Sequence, residues 1–404
     1  MTAPVVALFI GLGGLAWQPH AATAQARATQ QRDSAGIRIV ENARQEDGSR
    51  LGWRIGPRPA VSIGKVTGEE PYLLTGASDA TRLSDGRIVV VNRLTRELRV
   101  FDEGGIHLDT WGGTGEGPGE FTAVTIYHIA PLAGDSVVVW GIWHDPFMTV
   151  FDPAGNYERS FRPERSEPGV AGGLIAVAVT PGGAILAGPN RVSNRSVDDQ
   201  VTVELWNADG ELLGSLGTHA GKERIHDAEN LATYDVIFGR SLLHQSWGDL
   251  IVVGPNTRYE IKAYAQDGSL ARIVRRDHVT RAPTRAHVAA YAEASVARIP
   301  TAEERESALR RRLSRPVADQ FPAFVSVMSD AQGHLWVQEF EPPGEERPGV
   351  IWTVFDPDGR ALGFVETPEE LEIYEIGEDY ILGRTTDELD VEYVQVWPLD
   401  RSGS

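Results

Sequence analysis

The chain contains no cysteine, and that absence removes three possibilities together: a disulfide scaffold, a lipid-modified cysteine anchor and thiolate metal sites. Positive charge is also scarce. Lys and Arg number 38 against 57 Asp and Glu, a formal net charge of −19 at pH 7. No nucleic-acid partner is expected, because phosphate contacts draw on a surplus of Lys and Arg. The apolar run at residues 5–17 is shorter than the ~20 residues of a spanning helix. Its front, Met1-Thr2-Ala3-Pro4, lacks Lys and Arg, but Ala24-Gln25-Ala26 has the small-x-small form of a secretory cleavage site. We therefore expect residues 1–26 to be a signal peptide, and the mature chain to be a periplasmic or secreted monomer without a membrane span.

What the chain does have is turn formers and tryptophan. Its 404 residues include 43 Gly, 24 Pro and ten Trp, a balance that favours many short strands over long helices. Residues 83–121 set the pattern: an apolar run, the polar tip Asn92-Arg93-Leu94-Thr95-Arg96, a second run closing on Phe101-Asp102, a Gly104-Gly105 turn, a third run and a glycine-rich link. The second run and its turn return at residues 148–155, 203–210, 261–268 and 352–359. The preceding strand returns after Gly/Asp turns at 134–139, 182–186, 248–252, 333–337 and 377–382. The copies lie roughly 50 to 58 residues apart, except for roughly 90 before the fifth, near the ~40 to 50 residues of one four-stranded propeller blade.

The sixth copy has no outer strand, whereas residues 59–64 supply an outer strand without a blade. Pairing the two closes a six-membered ring and leaves no open sheet edge. We expect an all-β, six-bladed propeller of four-stranded antiparallel blades over residues 59–399, a leader at 27–58 and a tail at 400–404. Within the leader, residues 36–40 are strand-like and could join an outer edge. The long spacing before blade five holds a helical insertion at 279–319: Val288, Tyr291, Ala292 and Val296 have helical spacing, and Thr301 with Glu304 is a capping-box signature.

The first blade, from Asp85-Gly86 through Asn92-Arg93 and Phe101-Asp102 to Gly117-Pro118-Gly119-Glu120-Phe121, resembles the NHL repeat. The whole chain is similar to the TolB-like six-bladed β-propellers of exported bacterial proteins. That resemblance implies a rigid ring with ligands or partner proteins held on a loop face, without fixing an activity.

In such a ring, the tips between second and third strands share one face with the links between blades. Arg93, Arg191, Arg258 and Arg384 each fall in a tip, with Trp143, His144, Asn190 and Asn256 beside them. A ring of guanidinium forks suits an anionic small ligand, a peptide or an acidic protein surface. The structural alternative is that these arginines pair with neighbouring carboxylates. No catalytic centre or cofactor motif is evident: there is no H-E-x-x-H, G-x-S-x-G or P-loop pattern. A competing reading places a metal-dependent hydrolase or lactonase in the central channel, with Asp79, Asn190, Asn256 and Glu375 as ligands.

Overall fold

The computed structural model describes residues 29–44, 50–122, 126–141, 147–163, 174–189, 200–227, 232–345 and 349–403; the proposed signal peptide lies outside them. The described chain is a six-bladed β-propeller of four-stranded antiparallel sheets. Blade one runs from its inner strand outward through Ala77–Arg82, Ile88–Asn92, Glu97–Phe101 and His107–Gly112. The inner strands of the next five blades are Ile126–Pro131, Leu174–Val179, Leu242–Trp247, Phe324–Ser329 and Glu372–Ile376.

Successive strand residues face opposite ways, and here both ways lead to protein. Val89 and Val91 of blade one pack with Ile126, Val137 and Phe151 of blade two. Ile88 and Val90 turn instead to Leu382 and Val394 of blade six. This is why the second strands read as unbroken Val and Ile. The same arrangement repeats between blades two and three, three and four, four and five, and five and six. Trp140 and Trp206 fill one of these seams, and Trp336 and Trp397 another.

The recurrent Phe-Asp-x-x-Gly pattern is a turn in which the side chain of Asp102 accepts the backbone N–H groups of Gly104 and Ile106. Asp152, Asn207 and Asp356 repeat it. Gly155 shows what the turn demands: its φ is 85°, and a Cβ there would lie 2.0 Å from Nε1 of Trp111 in blade one. The position is closed both by backbone conformation and by the neighbouring blade.

Blade six consists of Glu372–Ile376, Tyr380–Thr386 and Glu392–Asp400, and its fourth strand is Val61–Ile63 from the beginning of the chain, with Val394 opposite Ile63. The leader forms a hairpin of Thr29–Ser34 and Ile37–Asn42. Ile37–Asn42 runs parallel to Leu270–Arg276, the outer strand of blade four, which the hairpin extends to six strands. Asn42 then donates to the carbonyls of Arg275 and Gly359 and accepts from Ala361 N–H, so the leader also fastens blade four to blade five.

Among the described residues, two links carry an added hairpin or α-helices. Between blades three and four stands a hairpin, Arg224–Asp227 with Ala232–Asp235, that the sequence reading did not include. Between blades four and five stand α1 (Arg285–Val296) and α2 (Ala302–Leu313). The complete capping box belongs to α1, where Thr284 and His287 bond reciprocally. At α2, Thr301 accepts from Glu304 N–H, and the Glu304 carboxylate turns to the Thr301 hydroxyl rather than to its backbone. α1 buries Ala292 and Val296 while α2 buries nothing. No helix among the described residues is long and apolar enough to cross a membrane.

Candidate functional site

Tips and links meet by hydrogen bonding on one face. Ala323 N–H, in the link entering blade five, donates to Asn256 O in the tip of blade four. Arg93 N–H donates to Gly76 O, and the Arg384 guanidinium donates to Ala77 O. Of the tip residues, Trp143, His144, Asn190 and Arg191 lie outside the described residues. The other four are placed, each in its own surroundings.

Arg384 is held by its own blade: it donates to Glu392 at 2.8 Å and pairs with Glu372, which stands directly opposite it on the neighbouring strand. Asn256 is buried. Its side chain accepts from Ser241 N–H and donates to Phe324 O, so its amide is part of the seam between blades four and five. Arg93 lies over the ring of Tyr127. Arg258 is 78% exposed and stands 3.8 Å from Glu260. The structural alternative, arginines paired within the ring, thus describes Arg384 well, and among the described tip arginines Arg258 is the most exposed, with a long contact to Glu260.

The channel residues behave likewise. Asp79 on the inner strand of blade one accepts from Ile129 N–H and contacts His128 Nδ1 at 3.2 Å, both on blade two. Glu375 on blade six accepts from the Thr81 hydroxyl and Arg82 N–H of blade one. Each carboxylate therefore clasps the next inner strand. Burial pushes both carboxyls above their ordinary range, and the charge of Asp79 adds to the rise at Glu375. Among the described residues no group of three or more His, Asp or Glu is arranged to hold a metal.

The face instead carries a cavity of about 510 Å³ beside the helical insertion. Four segments build its wall: Arg44 and Arg50 from the leader, Arg276 through Arg281 where blade four runs into the insertion, Phe321 and Pro322 at the entry to blade five, and Glu339 through Phe364 from blade five itself. The apolar part is fixed by an aromatic cluster in which Phe321 and Phe340 both pack against Phe238, and Phe238 against Tyr291 of α1. Holding α1 down and shaping the cavity are thus the work of the same rings.

The polar part centres on Arg276, whose side chain is only 4% exposed. Its guanidinium makes paired bonds of 2.9 and 2.7 Å to Glu339, donates to Thr353 and stacks 3.8 Å over Tyr259. Burial works against that charge, but Tyr259 and Glu339 carry the Arg276 pKa upward. His278 nearby is driven down by burial and by the Arg276 charge, which favours its neutral form. At the rim Arg281 pairs with Glu345 of the blade-five tip, and Arg50 with Glu366. The sequence reading missed this site although its signal was present: Arg275-Arg276-Asp277-His278-Val279-Thr280-Arg281 is a basic run at the mouth of the predicted insertion.

Fold and site together define a six-bladed propeller with a cavity on its loop face. A family model described as DUF5128, a 6-bladed beta-propeller, matches residues 71–132, which hold blade one and the inner strand of blade two. No curated protein matches the chain. Among solved structures the chain is similar to a DUF4221 family member from Bacteroides vulgatus, at 10% identity and a TM-score of 0.49 over 87% of this chain and 99% of that one. It is also similar to virginiamycin B lyase from Staphylococcus aureus, at 10% and 0.41 over 86% and 99%. A gluconolactonase from Xanthomonas campestris matches at 14% and 0.39, over 86% and 100%. At these scores the likenesses say nothing of activity.

Proposed function

We propose that the mature chain is an exported propeller that binds an anionic ligand in the cavity between the leader, the helical insertion and blade five. One observation carries this reading: in a chain of net charge −19, one cavity wall gathers four arginines and a histidine, met by Glu339 in the wall and by Glu345 and Glu366 at the rim. Guanidinium forks on a rigid frame are suited to oxyanions, and the ring supplies the frame while the leader and the insertion supply the walls. Export is supported by the cleavage-site pattern at residues 24–26 and by the absence of cysteine.

The test is thermal unfolding of residues 27–404 against a panel of small organic and inorganic anions at constant ionic strength. A ligand that binds only the folded state raises the melting temperature in proportion to RT ln(1 + [L]/Kd). At least one anion should give such a rise in the wild type and in Arg258→Gln, and lose it in the Arg50→Gln/Arg281→Gln double variant. Equal rises in all three proteins would remove the cavity as the site.

A further inference from the structure

We infer that the occupant of this cavity is a monocarboxylate with an apolar body, taken up by exchange of the Arg281–Glu345 ion pair. The inference rests on the anion-binding reading above and narrows it to one ligand class. Its first ground is the division of the wall: Val279, Phe321, Pro322, Phe340, Ile351 and Phe364 offer an apolar surface, and 510 Å³ falls within the roughly 300 to 1,000 Å³ of sites that enclose small organic ligands. A bare inorganic anion would leave that surface against water.

The second ground is the state of the arginines. The terminal nitrogens of Arg276 are taken up by Glu339 and Thr353 and its partnerless Nε is buried, so it contributes field and not a docking fork. Arg50 and Arg281 each face a carboxylate of the chain, Glu366 and Glu345. The cavity is therefore not a cradle of uncompensated positive charge of the kind a polyphosphate needs. At Arg50 and Arg281 it offers forks already matched one to one with carboxylates, and an incoming carboxylate of the same geometry takes the place of the resident one.

Both Arg50 and Arg281 are exposed enough for exchange, and Arg281 is the better placed because its carboxylate partner has a second hold. The Arg281 side chain is 49% exposed, and exposed ion pairs are weak and readily exchanged. Glu345 has a second contact, His287 Nε2 on α1 at 3.5 Å. When Arg281 turns to a ligand, Glu345 keeps its tie to the insertion and the blade-five tip stays in register with α1. No bond is made or broken covalently; one carboxylate replaces another on the guanidinium.

Calorimetric titration of residues 27–404 with decanoate, decanamide and inorganic phosphate tests this. Decanoate should bind, decanamide should bind at least about tenfold more weakly, and Arg281→Gln should weaken decanoate by a similar factor, the loss of one charge-assisted contact. Arg281→Lys, which keeps the charge and loses the fork, should fall between. If phosphate binds as well as decanoate, the apolar requirement is wrong and the anion reading stands. If acid and amide bind alike, or neither binds, the monocarboxylate inference falls, and the anion reading falls with it only if phosphate also fails to bind. If decanoate binds Arg281→Gln undiminished while circular dichroism shows the variant folded, the exchange on Arg281 is wrong.

Discussion

Replacing Glu339 by Gln removes one charge and no volume from the most buried polar cluster beside the cavity. In the wild type the Glu339 carboxylate receives both terminal nitrogens of Arg276, the Tyr259 hydroxyl at 2.8 Å and the Thr353 hydroxyl at 2.5 Å. Gln leaves Arg276 charged in a place where its side chain is 4% exposed, and it turns one acceptor into a donor facing that guanidinium. Breaking a buried pair from one side costs about 3–5 kcal/mol, whereas replacing both partners by apolar groups of similar shape is often near neutral. We expect Glu339→Gln to lose about 3 kcal/mol or more in urea unfolding, read as a fall in midpoint at unchanged slope. The Arg276→Met/Glu339→Met double variant should recover most of that loss, a strongly non-additive cycle. A loss below about 1 kcal/mol for Glu339→Gln, or a double variant that loses the sum of the two single changes, would refute the view that the pair is a dry, mutually dependent unit.

Two further outcomes are expected. Burial opposes the ionisation of Asp330, but hydrogen bonds from His334, Trp336 and Arg401 hold its pKa down to about 2, against an ordinary 3.8. A depressed carboxyl stabilises the fold above its unfolded value and loses that contribution as pH falls through its folded value, here between about 4 and 2 and worth about 2 kcal/mol. The stability gap between wild type and Asp330→Asn should therefore be full at pH 6 and close over that acid window; a gap independent of pH would count against it. Separately, the intact mass of chain recovered from a bacterial periplasm or medium should correspond to a start at Arg27, and an uncleaved Met1 would contradict the export reading.

The blades were legible because each second strand is buried on both faces, so Ile88-Val89-Val90-Val91 and its counterparts read as strands without needing a partner. The turn signal was equally local, since Asp102 bonds only two and four residues ahead. The tips were legible as positions but not as chemistry. Arg384 looks like a binding residue in a list of tips, yet its carboxylates are its own cross-strand neighbours, Glu372 by register and Glu392 across the hairpin. The cavity was not legible, because its wall joins segments near residues 44, 276, 321 and 351, which only the ring brings together. The leader strand could be recognised by composition, but its choice of blade four depends on Val40 fitting that seam and on Asn42 finding Gly359.

The shared sixth blade also sets a timetable. Ser62 meets Gln395 across a separation of 333 residues, so the strand that emerges early from the ribosome has no partner until almost the whole chain has been made. The leader strand waits similarly for blade four. Contacts this distant in sequence are slow to form, because the intervening loop must close before they repay its entropy. Until then Val61–Ile63 and the last hairpin each present an unpaired edge. Blades one to five can assemble from neighbour to neighbour, but the ring as a cooperative object begins only with its final strand, and a chain truncated before residue 394 should persist as an open, association-prone arc.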